Sequence, residues 1–355
     1  MSPPAVAAIV ARRREGALRG TFVTALRSAD TVASVLVEVR TSDGARAWGE
    51  ATPVRAVTGE TIASVEETLG RLIPRVVGLD ADDLDAGLDA VHADTGDPSA
   101  HAALDLALHD LAARRRGISL RRLLGVDDTR TAVATDVTIS AGDPAVMAEA
   151  ARACSAEGFD VLKLKVGDGR ADDVERVAAV AAAAPAARLR LDANQGWDVG
   201  GALALLDTLA ARGVAIELLE QPVPADDLAA LAAVTSRTEV PVLADEAVYT
   251  AGDVERVAAA GAADLVNLKL MKCGGLRPAR LAADTAEAAG LGWLIGCMME
   301  RAPGVVAAAS LAARSGPGPV HDLDAAWWQA PAELSYRDGH VHLPVGPGIG
   351  PTTLP

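Results

Sequence analysis

Residues 161–167 read VLKLKVG, a short apolar strand that ends in charge, and the same event recurs through the second half of the chain. It is found at Asp192 in LRLDANQGW, Glu220 in IELLEQP, Asp245 in PVLADEA, Lys269 in LVNLKLMKCGG, and Asp322 and Asp324 in HDLDAA. From Lys165 to Lys269 the markers lie 24–28 residues apart, the length of one strand plus one crossover helix. The intervening stretches, such as ADDVERVAAVAAAAP and RPARLAADTAEAAG, carry small and apolar residues at helical spacing. Strands alternating with helices predict a parallel sheet, and about eight such units would close an α/β barrel of the TIM type. Reactive side chains of such barrels sit at the C-terminal strand ends, so the charged residues would share one mouth. Side-chain parity agrees: Lys163 and Lys165 take one face of their strand, and Leu162, Leu164 and Val166 the other.

Composition limits the partners. Half of the residues are hydrophobic, enough for a large core, and the net charge of −15 argues against nucleic acid or an anionic membrane. Three cysteines (Cys154, Cys273, Cys297) show no metal-ligand spacing and read as buried inert thiols in a reducing, cytoplasmic setting. The start, MSPPAVAAIVARRREG, has its basic residues after the apolar run and does not read as a signal peptide.

The first part of the chain breaks the barrel rhythm. Residues 21–50 predict one β-hairpin turning at Ser-Asp-Gly, with TALRSAD, including Arg27, as a loop before its first strand. Thr58 is expected to cap a helix, and helical patterns run to about Gly117. His92, His101 and His109 in that region read as surface or packed imidazoles. The barrel is expected to begin with AVATDVTIS, which puts Thr138 at its mouth as a candidate substrate contact. The tail LSYRDGHVHLPVGPGIG predicts a hairpin turning at Asp338-Gly339. By parity His321 should face away from Asp322 and Asp324.

Asp192, Glu220 and Asp245 end successive strands and would become neighbours on the rim. Three carboxylates in contact repel one another unless a cation joins them, and oxygen-only ligation suits Mg²⁺. Lys163 and Lys165 on one side and Lys269 on the other would flank that metal. Nearby cations are expected to lower the lysine pKa values toward neutrality, Lys163 priming Lys165 as a base. Two opposed bases around a metal-held carboxylate suggest removal and return of a proton α to it.

KLK, DANQGW, ELLEQP, ADE, NLKLMKCGG and DLD, in this order and spacing, resemble the enolase superfamily, muconate-lactonizing subgroup, and within it the dipeptide epimerases of the L-Ala-D/L-Glu type. The resemblance implies a modified (β/α)7β barrel with an α+β capping domain: a cap over 1–128, a barrel over 129–332, and a C-terminal hairpin over 333–355 that returns to the cap. It also implies one Mg²⁺ per subunit on Asp192, Glu220 and Asp245, Lys165 and Lys269 as acid and base, and Asp322 and Asp324 around a dipeptide ammonium. We expect a homo-oligomer acting on a dipeptide. ADEA in place of ADES, together with CMME and VRAVTG, departs from the best-known type where substrate side chains would bind. Arg27 is the candidate for reading an acidic side chain, whereas Met298, Met299 and Val57 could instead shape an apolar pocket. Other reactions of the same enolate remain open (o-succinylbenzoate synthase, N-acylamino acid racemase, muconate cycloisomerase), as do a Schiff-base aldolase and a non-catalytic metal-binding barrel.

Overall fold

A computed structural model describes residues 3–169 and 172–350, so the ends of the expected cap and tail (1–2 and 351–355) lie outside the described residues. An antiparallel sheet is built from β1 (Val6–Val23), β2 (Ser28–Thr41) and β3 (Arg46–Ala51). The expected single hairpin over 21–50 is therefore corrected to a three-strand meander. The β2–β3 turn falls on Ser42–Gly44, and Thr24–Arg27 is the loop between β1 and β2. Strand β1 escaped the reading because ARRREGALRG shows no clean apolar alternation. Half of its residues are exposed, Val6, Leu18 and Phe22 are buried, and it is held by main-chain pairing to β2.

Thr58 also needs correction. It ends a short helical turn, Arg55–Thr58, which Gly59 closes at φ 78°, while Thr61 caps helix Ile62–Val76. The capping bonds are reciprocal: Ser64 N donates to Thr61 Oγ1, and Thr61 N to Ser64 Oγ. Helix Leu84–His92 follows, then helix Pro98–Arg115, which is buried all round from Ser99 to Ala113. Its small residues let two layers approach it. On one side lies β3, where a Cβ on Gly49 would come within 1.9 Å of Ala103 O, so only glycine fits.

The barrel strands are β5 (Val137–Ile139), β6 (Val161–Lys165), β7 (Arg188–Asp192), β8 (Leu218–Glu220), β9 (Val242–Ala244), β10 (Leu265–Lys269) and β11 (Gly292–Gly296), parallel and adjacent in chain order. A helix follows each strand. Residues 321–322 supply the eighth position, bridging Gly296 on one side and Thr135 on the other. The register sets Lys165 beside Asp192 and Asp192 beside Glu220. Strand β4 (Ala132–Ala134) precedes the barrel and pairs instead with the tail hairpin of β13 (Ser335–Arg337) and β14 (His340–His342). Asp338 and Gly339 make its turn with φ 50° and 67°. Past that hairpin, Ile349 N donates to Asp110 and Arg114 donates to Gly350 O, which joins the tail to helix Pro98–Arg115. Strand β12 (Gln329–Ala330) adds to the edge of the capping sheet at β1.

Asp105 is a second tie between the layers. Fully buried on helix Pro98–Arg115, it accepts from Leu276 N at 2.7 Å and so caps barrel helix Leu276–Ala288, whose own N-cap, Gly275, has no side chain. His92 and His109 flank its carboxylate at 3.0 and 3.1 Å. Burial opposes the charge on Asp105, but His109 and His92 outweigh it and hold its pKa down at about 2. Burial likewise opposes the charge on His109, yet Asp105 raises its pKa above the ordinary 6.5.

Breaking one side of this buried pair with Asp105→Ala should destabilise the protein by about 3–5 kcal/mol, read as a lower denaturant midpoint. A raised folded pKa gives the His109 contribution in full below 6.5 and loses it as pH rises through the folded value. The stability difference between wild type and variant should therefore shrink as pH is raised above about 6.5. A difference that grows with pH would contradict the pairing.

Candidate active site

The strand ends converge on a charged cluster closed off from solvent. Lys163, 1% exposed, places Nζ 2.7 Å from Glu220, 2.8 Å from Asp322 and 3.1 Å from Asp192. Lys165 Nζ is 2.5 Å from Asp192 Oδ2, and Lys269 Nζ is 2.8 Å from Asp245 Oδ2. Each expected ligand thus turns one oxygen toward an ammonium: Asp192 Oδ2, Glu220 Oε2 and Asp245 Oδ2. The other oxygen of each is fixed from behind. Asp192 Oδ1 accepts from Asn194 N, Glu220 Oε1 from Asn267 Nδ2, and Asp245 Oδ1 from Lys272. Asn194 adopts a left-handed φ of 42°, which brings its N–H back onto Asp192.

This arrangement fits Mg²⁺. Three carboxylates, each with one oxygen tethered and one facing an ammonium, supply the hard oxygen donors that Mg²⁺ takes. The other acidic group near the mouth is Cys297, Asp322 and Asp324, whose ligand atoms lie within 4.8 Å of one another. It suits Mg²⁺ poorly. The Cys297 thiol is pushed well above its ordinary pKa by burial and by Asp322, and it donates to Asp322 O.

Electrostatics separates the carboxyls. Burial opposes ionisation of Asp192, but Lys165 and Lys163 win and bring it to about 2. Burial and then the Asp192 charge push Glu220 up to about 8. From the protein's own groups alone, Lys163 and Lys269 run opposite to the expected fall. Burial favours the fall, but Asp322 and Glu220 around the first, and Asp245 beside the second, raise both instead. A divalent ion held by Asp192, Glu220 and Asp245 would share those carboxylate charges and so offset the rise.

Above the cluster the mouth is lined by Arg27, Val57, Thr138, Lys165, Lys269, Met298, Met299, Asp322 and Asp324. Thr138 N donates to Asp324 Oδ2 at 2.6 Å, and Trp328 Nε1 donates to the same oxygen. Burial, and then Asp322, push Asp324 up to about 6. Arg27 sits 5.8 Å over the Phe22 ring; burial lowers its pKa, and among the described residues no acidic group offsets this. His321 faces away, as parity requires. It is buried, with Nδ1 accepting from Ile295 N and Nε2 beside Ser315 Oγ.

Sequence reasoning missed Lys272, Asn194, Asn267 and Glu246. Asn194 Nδ2 donates to Glu246, which burial, followed by Asp245, raises to about 7. Their one sequence signal is position, within three residues of a marked strand end.

A family profile described as mandelate racemase / muconate lactonizing enzyme, N-terminal domain, matches residues 7–125. One described as enolase C-terminal domain-like matches residues 145–353. The chain belongs to the mandelate racemase / muconate lactonizing enzyme family of the enolase superfamily. Within it, the L-Ala-D/L-Glu epimerase of Bacillus subtilis (strain 168) is 37% identical over 337 residues, 93% of this chain and 92% of that one. The hydrophobic dipeptide epimerase of Enterococcus faecalis is 38% identical over 313 residues, covering 87% of each chain. Among solved structures, a substrate-liganded complex of the Bacillus subtilis epimerase superposes with a TM-score of 0.92 at 36% identity over 98% of both chains. The Enterococcus faecalis V583 dipeptide epimerase, complexed with Mg and L-Leu-L-Tyr, gives 0.90 at 34% identity, over 98% of this chain and 99% of that one. The enolase-like fold expected from the sequence is thus the fold of the family.

The carboxylate geometry predicts that Mg²⁺ or Mn²⁺ stabilises the folded protein, by about 2.7 kcal/mol at a hundredfold excess over Kd. A thermal melt with added metal against one with chelator should show the shift, and Asp192→Asn should abolish it. Coincident melts in wild type would contradict the metal assignment.

Proposed function

We propose that this protein is a Mg²⁺-dependent dipeptide epimerase, an isomerase that inverts the α-carbon of the C-terminal residue, with L-Ala-D/L-Glu as substrate. The observation that carries this reading is the placement of Lys165 and Lys269. Three strands separate β6 from β10 on one side of the eight-position ring, and three positions separate them on the other. The two ammonium groups therefore approach the mouth from opposite sides, with Asp192, Glu220 and Asp245 on the strands between.

Asp192, Glu220 and Asp245 would hold the cation. When bound, it draws off the negative charge that develops on the substrate carboxylate as the α-proton leaves. One lysine, in its neutral form, takes that proton into Nζ. The resulting enediolate is planar at the α-carbon, and the opposite lysine, protonated, returns a proton to the other face. Lys163 stays protonated among three carboxylates and keeps positive charge beside Lys165. On the far side of the ring Asp322 and Asp324 would seat the dipeptide ammonium, which orients the peptide across the mouth. Arg27 supplies the charge for a second carboxylate, and a guanidinium binds one through two parallel hydrogen bonds. We place the enzyme in the cytoplasm as a homo-oligomer with one Mg²⁺ per subunit, and divide it into a cap (1–128), a barrel (129–332) and a returning tail (333–355).

Lys165→Ala and Lys269→Ala should each lower kcat for epimerisation by about 10²–10⁴-fold. Each should still exchange the α-hydrogen of one stereoisomer with D₂O, opposite isomers for the two variants. Exchange of the same isomer by both would refute opposed bases.

Arg27→Ala should cost about 2–4 kcal/mol in kcat/KM for Ala-Glu while sparing Ala-Leu. A wild type that prefers Ala-Leu, or equal losses on both dipeptides, would remove the glutamate assignment and leave Met298, Met299 and Val57 as an apolar specificity wall.

A further inference from the structure

One buried ammonium has no part in proton transfer or substrate binding. Lys272 lies three residues past Lys269, in the helical turn Leu270–Cys273, and its side chain is 0% exposed. Its Nζ donates to Asp245 Oδ1 at 2.5 Å, to the backbone oxygen of the same residue, and to Asn267 O at 3.2 Å. The Tyr249 ring covers the group, 5.4 Å from Nζ to the centroid. We propose that Lys272 is a positioning residue for the divalent-cation site, holding Asp245 so that Oδ2 alone faces the metal. The proposal rests on the metal reading above.

A carboxylate at a strand end can rotate and offer either oxygen or both. An ammonium that grips both Oδ1 and the carbonyl of the same residue fixes the side chain at its two ends. Asn267, whose carbonyl the same ammonium also holds, donates Nδ2 to Glu220 Oε1 at 3.0 Å. One lysine therefore braces two of the three candidate ligands. Such outer partners typically contribute 10–100-fold to metal affinity. Repulsion between Lys272 and a divalent ion acts the other way, so the sign of the effect separates orientation from charge alone.

The test is Mn²⁺ titration of the purified full chain, followed by the paramagnetic resonance of free Mn²⁺, for wild type, Asp245→Asn, Lys272→Gln and Lys272→Arg. Wild type should bind, Asp245→Asn should lose binding, and Lys272→Gln should weaken it by about 10–100-fold. Lys272→Arg, which keeps a donor at Asp245, should weaken it less. Thermal melts of the metal-free proteins accompany the titration, because a lysine serving the fold alone would lower the melting point and leave Mn²⁺ affinity unchanged. Affinity in Lys272→Gln equal to or tighter than wild type overturns the proposal. Should that variant lack a cooperative melt, Lys272→Met, which removes the donor at similar length, is titrated in its place, and affinity equal to or tighter than wild type overturns the proposal. Equal binding by wild type and Asp245→Asn would remove the metal reading itself, a distinct result.

Discussion

Mutual neutralisation of buried charge at the C-terminal rim of the barrel is the constraint on which the rest depends. Lys163, Lys165, Lys269 and Lys272 share that space with Asp192, Glu220, Asp245, Asp322 and Asp324, all nearly or wholly buried. An unpaired ion there would cost several kcal/mol, so each must meet an opposite charge in a fixed geometry. The barrel supplies it because parallel strands in register bring residues far apart in sequence to one level. Glycine backbone also makes room: a Cβ on Gly296 would lie 2.4 Å from Asn267 and 2.9 Å from Lys269.

Such a cluster has to be covered, and the cap is tied to the barrel by the same kind of contact. Asp105 caps one barrel helix, and Glu50, at the end of β3, does so for another, accepting from Arg301 N at 3.0 Å and Gly304 N at 3.4 Å. Burial raises Glu50 to about 6. Both are carboxylates reaching across the layer boundary to orphan N–H groups at helix starts. The cap loops thereby bring Arg27 and Val57 over the mouth, and Tyr249 OH donates to Val57 O from the barrel side.

The barrel was legible because its signal is local. Each strand is apolar, ends in charge and recurs at a regular interval, and the mouth residues follow from parity. Strand β1 was hidden because a half-exposed, Arg-rich strand carries no clean burial alternation; its pairing to β2 defines it. Thr58 was misread because Thr-Gly-Glu and Thr-Ile-Ala-Ser both resemble a capping site, and only Thr61 has Ser64 three residues on. Lys272, Asn267 and Asn194 stayed out of view because residues that brace a ligand are marked by three-dimensional contact and by no spacing of their own. The rise at Lys163 and Lys269 was hidden for a related reason: sequence shows which cations are near, but not that the facing carboxylates outweigh burial.

The central claim is that two opposed lysines move a proton to and from one α-carbon. Its most direct test is incubation of L-Ala-L-Glu with the Mg²⁺-loaded enzyme in D₂O, with the stereoisomers separated at low conversion. The account predicts that the D-isomer product carries one solvent deuterium at the glutamate α-carbon from the first turnovers. Inversion that retains the original α-hydrogen would contradict it.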